Sequence, residues 1–240
     1  MVSLICRTPP EGAVYPTLRF RLEKQGALSY ISHLDVLRTM TKALLRAGLP
    51  LYYSEGFSPH PKLVFATPLS LGQESVCEYL DVRLAKDYDP GRAMAALNAT
   101  LPEGLRILAA GYPAVKFSAI ARSTYRITLR TAGADAALAE RCVAILSSRP
   151  LIVFKRSKAG DRDTDISGSI LSVEGGLVGE EIVLHVTLAA EGSAFLNPEY
   201  LLTALRRDAG VLSTDPTAES CRILRLSLAD ANGETFVDEE

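Results

Sequence analysis

At 240 residues the chain has room for one large domain or two of about 120, each able to bury its own core. Hydrophobic residues make up 48% and charged residues 22%, the composition of a folded soluble protein, and no apolar run approaches the 18 or so residues of a membrane helix. A net charge of −2 argues against a general nucleic-acid glue, and the amino terminus has no basic start and too short an apolar segment for a signal peptide, so the cytoplasm is expected.

The charge is uneven. Residues 1–121 carry 13 Lys and Arg against 10 Asp and Glu, and residues 122–240 carry 13 against 18. Basic patches therefore have to be judged locally. Part of the acidic excess is the tail DANGETFVDEE, over residues 230–240, which reads as a solvated, disordered end.

After an extension over residues 1–16, TLRFRLEK at 17–24 alternates apolar and charged, which predicts a strand with one buried face. Ser32 with Asp35 three residues on predicts a capped helix running to about Ala47, stopped by Gly48 and Pro50. Its expected buried stripe is Leu34, Leu37, Thr41, Leu44 and Leu45. Strands are expected at 51–54, 62–68 and 77–84, a helix at 90–101 and a strand at 105–112. The order is β-α-β-β-α-β.

The second half repeats that order at a period of about 105 residues. TYRITLRT (124–131) alternates, 134–148 is helical, and 151–155 is a strand. Residues 165–173 and 181–188 are expected to form a hairpin around a Gly175-Gly176 turn. Asn197 caps a helix with Pro198 at its first position, ending near Gly210, and a strand at 221–228 closes the half. The expected fold is α+β: tandem ferredoxin-like (βαββαβ) halves with antiparallel sheets, at 17–116 and 123–229.

The first helix carries Arg38, Lys42 and Arg46 four residues apart, a basic stripe that is either a solvated face or a track for phosphates. His33 stands in its first turn as a packing residue or a ligand. Next, YSEGFSPHPK clamps His60 between Pro59 and Pro61, which removes most of its backbone freedom. Such prolines also protect a strand edge. Alternatively, Tyr53, Phe57, His60 and Lys62 form a pre-organised site offering a stacking ring, a hydrogen bond and a cation. A second basic cluster, Lys155, Arg156, Lys158 and Arg162, falls at the equivalent place in the second half, as a solvated loop or a hairpin that reaches nucleic acid. Cys6, Cys77, Cys142 and Cys221 stand far apart with no CxxC or CxxxCxxC, so no metal site and no cofactor are expected, and the cysteines read as reduced, mostly buried thiols.

At these residues the chain resembles the radical SAM-linked protein family, a bacterial domain of unknown function found beside or fused to cobalamin-binding-type radical SAM proteins. The matching positions are Ser32, His33, Leu34, Asp35, Arg38, Arg46, Gly48, Leu49, Tyr53, Gly56, Phe57, Pro59, His60, Pro61, Lys62, Pro68, Gly72, Glu78 and Asp81. The match is strong over residues 16–84 and looser beyond. There the family's Asp-Ile-Arg-Pro is met by Asp165-Ile166-Ser167-Gly168, and Asn197-Pro198 with Leu201-Leu202 fits a late helix. The resemblance implies a radical SAM protein as partner and names no substrate.

Three functions stay open from the residues. One is a non-catalytic accessory protein that binds RNA, or another anionic substrate, for a separate radical SAM enzyme. Another is an interaction subunit that docks that enzyme without RNA. The third is a metal-independent endoribonuclease using His33 or His60 as general base. In architecture alone the last resembles CRISPR repeat-processing endoribonucleases, although their glycine-rich carboxy-terminal loop is missing here. Neither DNA nor a membrane is expected as a partner.

Overall fold

The computed structural model describes residues 15–155, 160–214 and 217–236. The expected tail residues 237–240 and all but the last two residues of the 1–16 extension lie outside them. The chain divides into two compact units, one of residues 15–71 with Cys77–Lys116, the other of Gly72–Val76 with Phe117–Phe236.

The first unit runs β1 (Thr17–Lys24), α1 (His33–Arg46), β2 (Leu63–Phe65), β3 (Gln73–Arg83), α2 (Pro90–Asn98) and β4 (Leu105–Gly111), with the first residues of β3 assigned to the second unit. Its strands lie in the order β4-β1-β3-β2, and β1 with β4 and β2 with β3 are antiparallel. Alternation decides which face is buried. Leu18, Phe20 and Leu22 of β1 and Leu80, Val82 and Leu84 of β3 form one core with Val36, Met40, Ala43 and Leu44 of α1 and Ala93 and Leu97 of α2. Each of the larger side chains, the alanines excepted, contributes about 1.5–3 kcal/mol through burial. The intervening residues, Arg19, Arg21 and Glu23 on β1 and Asp81 and Arg83 on β3, take the face opposite the helices.

Both helices start on designed caps. Asp35 N–H donates to Ser32 Oγ at 3.2 Å, and Arg92 N–H donates to Asp89 Oδ1 at 2.7 Å, with Pro90 opening α2. The stripe expected on α1 needs correction. Val36, Met40, Ala43 and Leu44 are buried, whereas Leu34 is 60% and Leu45 49% exposed. The set 36, 40, 43, 44 is itself an i, i+4, i+7, i+8 pattern, so two overlapping apolar stripes competed and the sheet selected the one with Met40 at its centre. The expected strand at 51–54 reduces to single bridges, Leu51 with Leu84 and Tyr53 with Pro61.

The second unit runs β5 (Arg122–Arg130), α3 (Ala136–Ser147), β6 (Ile152–Lys155), β7 (Arg162–Asp165), β8 (Ile170–Val178), β9 (Glu181–Ala189), α4 (Glu199–Ala209) and β10 (Ser220–Ala229). Its strand order is β10-β5-β9-β8, antiparallel throughout, with Gln73–Ser75 of β3 running parallel to β10 on the outer side. β6 and β7 make a separate hairpin. Tyr125, Ile127 and Leu129 of β5 and Ile182, Leu184, Val186 and Leu188 of β9 pack with Ala139, Cys142 and Leu146 of α3 and Leu201, Leu202 and Leu205 of α4.

The expected strand over 165–173 divides at the turn Ser167–Ser169, and the hairpin turn lies elsewhere than expected. Gly175 and Gly176 lie inside β8, paired with Leu184 and Val183. A Cβ on Gly175 would stand 2.5 Å from the Val183 carbonyl oxygen, so the glycine is there for close approach of two strands. Gly179, at φ +62°, makes the turn into β9. Among the described residues the fold is mixed α+β, with four α-helices and antiparallel-dominated strands, and no helix is long and apolar enough to cross a membrane.

Candidate functional site

In the first unit, the segment between α1 and β2 folds back on itself as a narrow loop. Ser54 N–H donates to the His60 carbonyl at 2.9 Å, and Lys62 N–H donates to the Tyr52 carbonyl at 3.2 Å. His60 N–H donates to Ser54 Oγ at 3.2 Å. The imidazole Nδ1 stands 3.0 Å from Ser54 Oγ and 3.2 Å from the Ser58 carbonyl. Whether Nδ1 accepts from the serine or donates to the carbonyl, it is engaged within the loop, and Nε2 is the nitrogen left without a partner among the described residues. The prolines around His60 and the serine beneath it thus fix one imidazole edge and present the other.

The rest of the loop is solvent-facing. Phe57 at its tip is wholly exposed, at 112% of the reference area. Lys62 Nζ lies 5.2 Å from the centre of the Tyr52 ring, within cation–π range. Tyr52 in turn packs on Tyr15, ring centres 4.4 Å apart, and desolvation, then Tyr52 and Glu55, push the Tyr15 hydroxyl above its ordinary pKa. Tyr53 faces the first core instead, so of the four loop residues expected to act together, Phe57, His60 and Lys62 are available and Tyr53 anchors the base.

A Ser–His contact at 3.0 Å has the spacing of a nucleophile and its base. Here the serine oxygen already accepts the His60 amide, and among the described residues no carboxylate bonds the imidazole. The arrangement pins a loop.

On α1 the three cations have different fates. Arg38 Nη1 lies 3.0 Å from Asp35 Oδ1, and Ser32 Oγ donates to the other carboxylate oxygen at 2.7 Å. The serine hydroxyl first, and Arg38 second, hold the Asp35 carboxyl below its ordinary pKa. Arg38 is therefore neutralised locally. Lys42 and Arg46 are exposed and line a groove of about 440 Å³ with Thr39 and Thr100, where Thr100 Oγ1 donates to the Ala43 carbonyl at 3.2 Å. His33 is half-buried, its ring edge-on to Phe65 of β2 at 5.2 Å, so it is a packing residue at the helix start.

In the second unit, Lys155 and Arg162 are register partners across the β6–β7 hairpin. Lys155 Nζ sits 5.0 Å from the Tyr200 ring centre, and burial, then Arg162, lower its pKa. Phe154 beside it is half exposed. Arg156 and Lys158, also expected here, lie outside the described residues. Among the described residues no three His, Cys, Asp or Glu side chains stand together as a metal site.

Residues 17–198 match the family described as "Uncharacterized protein conserved in bacteria (DUF2344)". The chain belongs to that family. No curated protein sequence matches it. Among solved structures it is similar to a chain of a Cbf5-Nop10-Gar1 complex at 14% identity and a TM-score of 0.45, covering 94% of this chain and 56% of that one. It is also similar to an unknown protein from Galdieria sulphuraria at 11% identity, covering 88% and 99% of the two chains with a TM-score of 0.26. DyPB from Rhodococcus jostii RHA1 follows at 12% identity, with 93% and 97% covered and a TM-score of 0.21. Likenesses this shallow carry no argument about fold or function.

For this DUF2344 member, several of the positions picked out by motif are structural. Asp81 accepts two bonds from Arg19, at 2.6 and 2.9 Å, and Arg19 is 3% exposed. Asp165 Oδ1 accepts the Leu151 and Ser167 amides at 3.0 and 2.9 Å. Asn197 Oδ1 accepts from Gln73 Nε2 at 2.9 Å and from the Glu199 amide at 3.2 Å, so it both caps α4 and ties it to β3. What motif reading missed is a cross-strand feature. The helix-free face of the second sheet carries Arg126 and Arg130, and the signal for it was the alternation already used to place the strand.

Proposed function

We propose that this protein is a non-catalytic accessory module that binds RNA and works with a separate radical SAM enzyme in RNA modification or processing. The observation that supports it best is the loop around His60. A fully exposed aromatic ring, an imidazole with one free nitrogen and a cation held over a tyrosine stand together on a segment stiffened by two prolines. Those three groups suit a flipped-out base, its edge and its phosphate. Lys42 and Arg46 extend the cationic surface on the same unit.

Each unit is read as ferredoxin-like. With the separate β6–β7 hairpin set aside, the strand orders β4-β1-β3-β2 and β10-β5-β9-β8 are the same when numbered within each half, and two helices pack on each core. The radical SAM partner rests on the sequence resemblance over residues 16–84, and a cytoplasmic location goes with such a partner. An endoribonuclease is disfavoured because among the described residues His60 has no carboxylate to orient it and His33 is turned onto Phe65.

The test is a titration of the full chain with fragmented total cellular RNA at low and at physiological salt, beside a Lys42→Ala/Arg46→Ala/His60→Ala variant. Salt-sensitive binding that falls about tenfold or more in the variant is expected. Absence of binding at both salts would overturn the reading and leave Phe57 as a protein-docking residue.

A further inference from the structure

The two units repeat one another at the residue level at one informative place. TLR at Thr17–Arg19 returns as TYR at Thr124–Arg126, and LDVRLA at 80–85 returns as LHVTLA at 184–189. Three apolar members of the second pair of segments have the same role in both copies. Leu80, Val82 and Leu84 are fully buried in the first core, as are Leu184, Val186 and Leu188 in the second. On the opposite face the copies differ. Arg19 is closed by a bidentate pair with Asp81. At the matching positions Arg126 faces His185 as its register partner on β9, and among the described residues no carboxylate replaces the missing aspartate.

The consequence is an uncompensated positive charge on a helix-free sheet face. Arg126, Thr128 and Arg130 alternate along β5 and share that face, about 6.8 Å apart at a rise of about 3.4 Å per residue. Neither Arg126 nor Arg130 bonds a carboxylate among the described residues. The neighbouring cations are already used, since Arg222 pairs with Glu74 and Arg122 donates to the Ala231 carbonyl. The acidic groups near the strand are Glu174, opposite His185 on β8, Glu181 at the start of β9, Glu74, which pairs with Arg222, and Glu219, whose carboxylate accepts the Thr131 hydroxyl and the Ala132 amide just past Arg130; among the described residues none of them forms an ion pair with Arg126 or Arg130. A half-buried guanidinium left open in the middle of a sheet is costly unless something anionic meets it.

We infer that the helix-free face of the second sheet is the track for the phosphates of a single-stranded RNA, with Arg126 and Arg130 as its cationic contacts and Thr128 as a hydroxyl donor between them. The spacing decides for nucleic acid. Donors repeating every second residue along a strand are about one extended nucleotide apart, which suits a regular polyanion better than the irregular carboxylates of an acidic protein. This deepens the RNA reading above and rests on it.

Full-length protein is titrated with a fluorescently labelled oligouridine over a range of salt, together with Arg126→Ala, His185→Asp and His185→Asn variants. His185→Asp recreates the Asp81 arrangement and closes Arg126 internally while leaving both arginines in place, and it should keep the parent's Tm. Arg126→Ala and His185→Asp are each expected to weaken binding about tenfold, and Arg126→Ala to reduce the slope of log affinity against log salt by about one. His185→Asn should bind like the parent. If parent and variants bind alike, this face is wrong while the RNA reading stands, and a His185→Asn loss as large as that of His185→Asp would also overturn it. If the parent binds neither oligouridine nor fragmented cellular RNA, both fall. Equal competition by polyglutamate through the same arginine would overturn the RNA track in favour of an acidic protein.

Discussion

Asp165 shows how a single exposed carboxylate can organise a junction. One of its oxygens accepts the Leu151 and Ser167 amides, locking the start of β6 to the turn that follows β7. The Ser167 backbone and side chain first, then the Leu151 amide, depress its pKa, with Arg149 adding a smaller pull in the same direction. A carboxyl with a folded-state pKa below its unfolded value stabilises the protein above the unfolded value, and that contribution is lost as pH falls through the folded one. Asp165→Asn is therefore expected to lower Tm at neutral pH, with the gap to the parent closing in acid below the usual aspartate range. Calorimetry at a series of pH values checks this, and a gap independent of pH would mean that the charge is irrelevant. The same residue marks what single-residue reading could supply. Asp165 was visible as part of a motif, yet its partners lie 14 and two residues away, and only the folded register makes it a clasp.

At the scale of elements, the helix caps and the alternating strands were legible because each is written in neighbours. Ser32 with Asp35, Asn197 before Pro198 and the TLRFRLEK alternation all needed only local spacing. Pairing across strands was not legible. Gly175-Gly176 has the composition of a turn, but the ladder with β9 continues through it because glycine lets the Val183 carbonyl approach. Gly175→Ala places a methyl 2.5 Å from that oxygen and is expected to cost about 1–3 kcal/mol, whereas Gly176→Ala meets open space and costs less. Urea unfolding of the two variants separates them, and equal midpoints would refute the close-approach argument. The stripe on α1 failed for a related reason: Leu34 and Leu45 satisfy helical periodicity as well as Val36 and Met40 do, and only the sheet beneath decides between them. The candidate surface followed the same rule. Cations on one helix could be counted along the chain, but the open Arg126 requires knowing that β9 brings a histidine beside it where β3 brings an aspartate.

For the molecule as a whole, two separate cores account for where the thiols lie. Cys142 is buried in the second core and Cys221 packs against it. Burial raises the Cys142 thiol and drives Cys221 to about 12, with Glu199 adding to the latter, so neither forms appreciable thiolate at neutral pH. Iodoacetamide at neutral pH is expected to leave Cys142 and Cys221 unmodified in the native protein and to label both in urea, read by peptide mass spectrometry. Rapid native labelling of Cys142 would show that the second core is open.

The parallel ladder of Gln73–Ser75 with Ile223–Arg225 has a temporal side. Its ion pair, Glu74 with Arg222, joins residues 148 positions apart. A ribosome adding roughly 5–20 residues per second needs roughly 7–30 s between delivering the first partner and the second. During that interval the leading end of β3 has emerged while the strand that will cover it does not yet exist. The second unit thus completes only once Ser220–Ala229 has been made, and a truncation before Ser220 strands an unpaired edge in a segment translated long before it.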